Sequence, residues 1–545
     1  MIPLNSPNVV CIMKIVSEGG IFMNREQLVA PEQYNLVSEF EKYATGAGTK
    51  ALIYINSDGK KKEITYDALM KLSNQAANVF KENGLVKGDV VLVMVPRLIE
   101  AYITYIGALK AGLVVIPSSE MLRPTDIDYR LAHSQAKAIV SYELFSNQFE
   151  EVQNIKDVEL FIIGQAQKNQ KSLTELMEVA STEFKLVETK STDNAFLSYT
   201  SGTTGSPKGV VHTHAWGYAH LRTTGPNWLG IKEEDVVWAT AAPGWQKWIW
   251  TPFLSVLGSG ATGLVYDGKF DAKKYFKLIK ENDVNVLCCT PTEYRFMGLM
   301  EDFATYDLSS IRSAVSTGEP LNEEVIIKFK DAFGLDVRDG YGQTENTLLI
   351  GVMLGMETRL GSMGKPTPGN RVEIIDDNGQ PSKVDEVGDI AVHVSTPALF
   401  KEYLNDPERT SMQFRGDYYV TGDRAKMDAD GYFWFEGRGD DIIISSGYTI
   451  GPFEVEEAIL KHSAVRECAV VASPDEVRGS VVKAFIVLRE PSRKDEPGLA
   501  ESIQNHVKAL TAPYKYPRKI EFIHEMPKTA SGKIMRVQLR KMDQA

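Results

Sequence analysis

Four stretches of this chain carry residue types that could do chemistry on a phosphorylated ligand. Residues 198–212 read Ser-Tyr-Thr-Ser-Gly-Thr-Thr-Gly-Ser-Pro-Lys-Gly-Val-Val-His. They bring Gly202, Gly205 and Gly209 together with the hydroxyls of Thr200, Ser201, Thr203 and Thr204 and one cation, Lys208. Glycine lets a main chain approach a ligand closely, and clustered N–H and O–H donors beside one lysine suit a polyphosphate. The order is not a Walker loop, because Pro207 stands where that pattern needs glycine. Downstream, Asp339-Gly-Tyr-Gly-Gln-Thr-Glu345 sets an aromatic between two glycines, able to stack on a flat base. It ends on Thr344 and Glu345, oxygens suited to a hard cation such as Mg2+. Tyr419-Val-Thr-Gly-Asp423 closes a strand on a carboxylate that could accept both hydroxyls of a ribose, and Pro527-Lys-Thr-Ala-Ser-Gly-Lys533 offers one lysine near the end. Taken singly, these last three read as an exposed turn, an Asp capping its own backbone and a solvated surface lysine.

The elements that must position them follow from hydrophobic spacing. Residues 51–56, 89–95 and 113–117 read as strands; 65–83 (Leu69, Leu72, Ala76, Val79, Phe80) and 98–110 read as helices that stop at Gly84 and before Gly112. After the loop, strands at 236–240, 261–266, 285–289 and 313–316 alternate with helices at 272–282 and 323–333. The predicted class is α/β, with doubly wound parallel sheets. Beyond about 360, short strands at 371–376, 388–394, 418–421 and 431–435 lie between Gly/Asp/Pro turns and predict a small β-rich subdomain over 360–438. A charged joint follows, and then helices at 455–461 and 503–510 and strands at 467–472 and 482–488 predict a small α+β domain. The expected organisation is a poorly ordered leader 1–35, a large domain 36–438, a hinge 439–441 and a C-terminal domain 442–545, with a second start available at Met23.

Bulk composition narrows the function. A chain of 545 residues is too long for one core. A net charge of −12 argues against wholesale nucleic-acid binding. From Lys508 onward, however, nine Lys/Arg face three Asp/Glu, a local basic surface that reads either as a solvated face or as a seat for phosphates. Cys11, Cys288, Cys289 and Cys468 form neither a disulfide framework nor a metal motif, so a reducing cytoplasm is expected. No apolar run reaches the roughly 18 residues of a membrane span. His212 and His214 lack a carboxylate at ligand spacing and are read as structural.

The four stretches, in this order, resemble the signatures of the adenylate-forming (ANL) superfamily, which joins a carboxylate to the α-phosphate of ATP. The resemblance runs from about 40 to 540. It implies that Thr200, Ser201, Gly202, Thr203, Thr204, Gly205 and Lys208 hold phosphates, and that Tyr341 packs on adenine within Asp339, Gly340, Gly342 and Gln343. Gly318, Glu319 and Pro320 pass the other side of the base. Thr344 contacts phosphate and carboxylate, Glu345 holds magnesium, Asp423 takes the ribose and Arg438 makes a second nucleotide contact. Lys533 bridges carboxylate and α-phosphate, and the C-terminal domain turns about Asp440.

Within the superfamily, Ser445-Ser-Gly-Tyr448, Asp475-Glu-Val-Arg-Gly and Ala512-Pro-Tyr-Lys-Tyr-Pro-Arg-Lys519 are most similar to the medium-chain acyl-CoA synthetases. That similarity implies a pantetheine tunnel at Ser446, Gly447 and Tyr448, and CoA nucleotide contacts at Arg478, Lys508, Tyr516 and Arg518. Thr449 departs from the pattern, which has Arg there. Gly244-Trp-Gln-Lys-Trp-Ile-Trp250 reads either as a helix start with core tryptophans or, by resemblance, as an acyl-pocket wall built on Trp245, Lys247 and Trp248. Gly342 stands where acetate-activating relatives carry a pocket-closing Trp, which implies a longer acid. The expected activity is an ATP-, Mg2+- and coenzyme A-dependent acid–thiol ligase for a short- to medium-chain fatty acid, straight or branched. Carrier-protein loading and acetate activation are the alternatives, and a homodimer is left open.

Overall fold

Helix Ile99–Lys110 explains the layering of the large domain. Every residue in it except Glu100 is buried, so it has no solvent face and must lie between apolar layers. The core around it draws Val91, Val93 and Val140 from one sheet and Leu52 and Val265 from another. Its partner helix, Tyr66–Glu82, approaches so closely that a Cβ at Gly107 would lie 2.8 Å from the Ala76 Cβ. The structure is a computed structural model in which residues 24–200, 207–439, 441–445, 448–475, 479–511, 514–529 and 533–544 are described.

The first sheet runs Glu402–Tyr403, Lys208–Thr213, Asn194–Thr200, Val114–Pro117, Val90–Met94, Ala138–Tyr142, Glu159–Ile163, Lys171–Ser172. Its strands are parallel from Val114–Pro117 onward. The second sheet is parallel from Lys50–Ile55 through Thr262–Tyr266, Val236–Ala239, Val286–Cys289 and Ser313–Thr317 to Val337–Gly342. Strands fed by crossover helices read as continuous apolar runs because both faces are covered, and this is why they were predictable.

The β-rich stretch over 360–438 consists of antiparallel strands that continue the second sheet, since Ser362–Pro366 pairs with Leu348–Gly351 on one side and Phe433–Arg438 on the other. One expectation changes. Residues 24–35, expected to be poorly ordered, are packed. Asn24 caps the turn Arg25–Leu28, and Leu28 is fully buried against Gly369, where a Cβ would lie 2.6 Å from its side chain.

The C-terminal domain folds Val465–Asp475, Gly479–Leu488 and Lys519–Phe522 into a sheet. Helices Pro452–Leu460, Leu499–Leu510 and Arg536–Gln544 accompany it. Its contacts with the large domain include Asn322 Nδ2 donating to Glu457 Oε1 at 2.7 Å and Lys461 Nζ 3.0 Å from Glu323 Oε2. Inside it, the buried Glu456 carboxylate accepts from Arg536 Nη2 at 2.7 and 2.8 Å and from the Val470 N–H at 2.7 Å. Burial pushes that carboxyl up, and Arg536 opposes the push. Arg536 stands three residues after Lys533, so this ion pair ties the segment bearing Lys533 to the domain core. Removing one partner of a buried pair strands the other charge at a cost of about 3–5 kcal/mol. Arg536→Ala should therefore lower the unfolding temperature of the C-terminal domain and leave the large-domain transition in place; unchanged calorimetric traces would contradict this.

Candidate active site

The Gly/Ser/Thr stretch connects an antiparallel hairpin in which Thr200 opposes Lys208. Ser201, Gly202, Thr203, Thr204 and Gly205 lie outside the described residues; the hairpin end that carries Lys208 does not. Lys208 Nζ donates to Tyr403 OH at 3.2 Å and sits 3.4 Å from Glu345 Oε1, while Tyr403 OH donates to the same Oε1 at 2.8 Å. The ammonium also lies 4.6 Å from the Tyr403 ring centroid. Among the described residues both Glu345 partners meet Oε1, which leaves Oε2 for a ligand. Magnesium is typically held by one or two carboxylates plus substrate phosphates, so a single buried glutamate beside a phosphate-suited hairpin fits it as a protein ligand. The Thr344 carbonyl is fixed at 2.6 Å from His212 Nε2.

The second cluster stands on the neighbouring strands. Tyr341 OH donates to Asp423 Oδ2 at 2.6 Å, and Gln343 Nε2 donates to the same oxygen at 2.6 Å and to the Thr421 carbonyl at 3.0 Å. Asp423 faces Arg438 across paired strands. Burial raises the Asp423 carboxyl, and Arg438 is the largest influence opposing that shift. These contacts fix the plane of the Tyr341 ring and keep a carboxylate beside it. Gly340 is demanded by packing, since a Cβ there would lie 2.6 Å from the Trp228 ring. Gly318 has φ +105°, a conformation that favours glycine. Beside it, Glu319 Oε2 accepts from Thr292 Oγ1 at 3.2 Å, and Lys247 Nζ donates to the Thr317 carbonyl at 2.7 Å. Pro320 follows, half-buried.

Lys533 joins this cluster from the C-terminal domain. Its N–H donates to Thr529 Oγ1 at 3.1 Å and its carbonyl accepts from the Thr529 N–H at 2.7 Å, so the Lys533 backbone is fixed against Thr529. Although the residue keeps contact with solvent, protein crowds the ammonium and holds it below the ordinary lysine range. The carboxylates of Glu319 and Asp423 oppose that shift, and Arg438 and Lys247 add to it. A lysine more than 300 positions from Lys208 thus reaches the electrostatic field of the predicted nucleotide residues.

Comparison with known sequences identifies the family. Residues 40–404 match the AMP-binding enzyme family, and 454–533 match the AMP-binding enzyme C-terminal domain. The chain belongs to the AMP-binding enzyme family. It is 56% identical over 522 residues to an uncharacterised acyl-CoA ligase, YtcI, of Bacillus subtilis (strain 168), covering 96% of this chain and 98% of that protein. It is 40% identical to the mitochondrial acyl-coenzyme A synthetase ACSM3 of Rattus norvegicus, covering 94% and 91%. Among solved structures, a Brucella canis acyl-CoA synthetase superposes with a TM-score of 0.74 at 34% identity, covering 95% of this chain and 96% of that one. The anthranilate CoA ligase AuaEII, in complex with anthranoyl-AMP, superposes with a TM-score of 0.88 at 30% identity, covering 96% and 99%.

In this AMP-binding enzyme the other predicted positions divide. Lys508, Tyr516 and Arg518 come together: Lys508 Nζ lies 4.2 Å from the Tyr516 ring centroid, and Arg518 Nη1 donates to Tyr516 OH at 2.8 Å. Asp440, Ser446, Gly447 and Arg478 lie outside the described residues. Tyr448 and Thr449 are described as backbone in the strand Tyr448–Ile450, with Thr449 opposite Ile444. Trp248 is 1% exposed and packs against Tyr102, Tyr105 and Phe253, the core side of its two readings; Trp245 remains half-buried. At Gly342 the expectation of added room changes. A Cβ there would lie 2.0 Å from the Thr347 carbonyl oxygen and 3.0 Å from the Trp250 ring, so the first atom of a larger side chain has no space on this backbone. The glycine serves the tight strand approach. His212, His214 and His220 are buried, and burial holds them at about 3, 4 and 4, so they are neutral structural groups. Tyr403 was missed: nothing in its neighbourhood marks it, and only the pairing of Tyr403 with Val210 brings it to Lys208.

Asp339 gives a pH-dependent test. Its Oδ1 accepts the Gly340 N–H at 2.8 Å, and burial pushes its carboxyl up to about 7. The folded state then keeps a proton that the unfolded chain releases near pH 4, so this group's contribution to stability falls as pH rises from about 4 to 7. Asp339→Asn, whose amide keeps the Oδ1 acceptor, should gain unfolding temperature over the parent as pH rises through that window. A difference that stays constant with pH would contradict it.

Proposed function

We propose that the chain is an ATP-dependent acid–CoA ligase acting on a short- to medium-chain fatty acid. The feature that supports the adenylation step is that Lys533, carried by the C-terminal domain, lies within electrostatic reach of Glu319, Asp423 and Arg438 of the large domain. A carboxylate oxygen of the acid attacks the α-phosphorus of ATP, the bond to the β-phosphate breaks, and pyrophosphate leaves with acyl-AMP remaining. Both reactants are anions, and preorganised positive charge at the developing oxygens is worth several kcal/mol. Lys533 supplies that charge at the α-phosphate and Lys208 at the departing phosphates. Asp423, oriented by Tyr341 and Gln343, holds the ribose, and Thr344 meets phosphate and carboxylate. Magnesium, when bound at Glu345, neutralises phosphate charge.

In the second half-reaction the thiolate of CoA attacks the acyl carbon and AMP leaves. The C-terminal domain turns about Asp440 to bring Ser446, Gly447 and Tyr448 to the site. The cations on Tyr516, Lys508 and Arg518, with Arg478, favour the CoA nucleotide over a carrier protein. That the solved relative AuaEII is described with an acyl-adenylate supports the intermediate. The buried thiols of Cys288, Cys289 and Cys468 suit a reducing compartment such as the cytoplasm.

Lys533→Ala should abolish acid-dependent pyrophosphate release while retaining thioester formation from supplied acyl-adenylate. Equal loss of both would count against the role. For the acid, each buried methylene adds ~0.8 kcal/mol, so kcat/KM across a series from acetate to dodecanoate should rise in steps and pass through an optimum above acetate; an optimum at acetate would refute the chain-length reading.

A further inference from the structure

Helix Pro124–Ser134 carries a face that the ligase reading leaves unused. Tyr129 OH donates to the carbonyl of Pro207 at 2.8 Å, and His133 Nδ1 pairs with Tyr199 OH at 2.9 Å. The two rings that make these bonds stack on one another, with centroids 5.4 Å apart and planes 11° apart. Tyr199 lies on one strand of the hairpin, opposite Gly209, and Pro207 immediately precedes Lys208, the first residue of the other. The brace is tied at its far end as well, because Asn405 Nδ2 donates to the His133 carbonyl at 3.1 Å, two residues beyond Tyr403, the partner of Lys208. A hydrogen bond to a backbone carbonyl fixes main-chain position rather than side-chain chemistry, and a lysine acts on phosphate only as well as its backbone is placed.

We propose that Tyr129 and His133 are positioning residues for the pyrophosphate end of ATP, acting by holding both strands of the hairpin so that Lys208 is preplaced. Burial holds His133 below its ordinary value, so the imidazole is neutral at pH 7 and acts as a hydrogen-bonding strut. The inference rests on the reading of that hairpin as the phosphate-binding element. It separates positioning from chemistry: the effect falls on steps that contain pyrophosphate and spares those that do not.

The test uses the full-length enzyme and compares Tyr129→Phe, His133→Ala, His133→Gln and Lys208→Ala. Loss of one such hydrogen bond is typically worth about a fivefold change in affinity. Tyr129→Phe and His133→Ala should each raise KM for ATP and for pyrophosphate in the exchange reaction by about that factor. Affinity for AMP and the rate of thioester formation from supplied acyl-adenylate should stay at parent values, and His133→Gln, which keeps a hydrogen-bonding group, should recover most of the loss. If Lys208→Ala raises KM for pyrophosphate and Tyr129→Phe does not, the brace is refuted while the phosphate site stands. If neither moves it, the hairpin reading falls with it. If Tyr129→Phe weakens AMP binding and thioester formation equally, the residue is merely structural and the proposal is overturned.

Discussion

One electrostatic constraint governs this molecule: nucleophile and electrophile are both anions, and they must meet. Two unit charges at 4 Å repel by roughly 4 kcal/mol at the effective dielectric of a protein surface. Positive charge must therefore stand at that point before the reactants arrive. In the proposed reaction two lysines meet the requirement from two directions. Lys208 is built into the end of a hairpin in the large domain, and Lys533 is delivered by a separate domain. Lys208 is kept in place by Tyr403 and Glu345, and Lys533 lies within electrostatic reach of Glu319 and Asp423.

The rest of the architecture supports those two placements. A helix buried on all faces holds the two sheets of the large domain together, so the hairpin of the first sheet stands rigidly against the strands of the second. Tyr341 and Asp423 come from strands of that second sheet and Gln343 directly follows the first, and their shared hydrogen bonds orient the ring and the carboxylate together. In the C-terminal domain the buried pair of Glu456 and Arg536 anchors the segment that presents Lys533. The seam between the domains joins polar contacts, Asn322 to Glu457 and Glu323 to Lys461, with the ring contact of Phe435 and Phe453.

Much of this was legible in the sequence, for physical reasons. Apolar runs separated by amphipathic helices dictate doubly wound sheets, and helix Glu323–Phe333 was read to its exact ends because glycine and acidic residues mark them. Lys208 could be picked out by the composition of its loop, whereas Tyr341, Glu345, Asp423 and Lys533 could be named only because their stretches, in order, resemble the superfamily's signatures. What escaped depends on pairing distant in sequence. Tyr403 reaches Lys208 only through a two-residue strand, and Tyr129 and His133 reach the hairpin from a helix about seventy positions away. Gly342 misled in another way: its lack of a side chain suggested room, whereas the backbone uses that room itself. The packing of residues 24–35 could not be read either, because it depends on Gly369 leaving space for Leu28.

The claim that matters most is that this docking of the C-terminal domain serves adenylation and excludes the second half-reaction. It can be tested directly by placing cysteines at Asn322 and Glu457, whose side chains meet across the seam at 2.7 Å, and joining them with a short bis-methanethiosulfonate, each thiolate displacing methanesulfinate to form a reducible disulfide. The joined enzyme should still exchange pyrophosphate into ATP in the presence of acid but form no acyl-CoA, and cleaving the link should restore the thioester. Full acyl-CoA turnover by the joined enzyme would contradict the account.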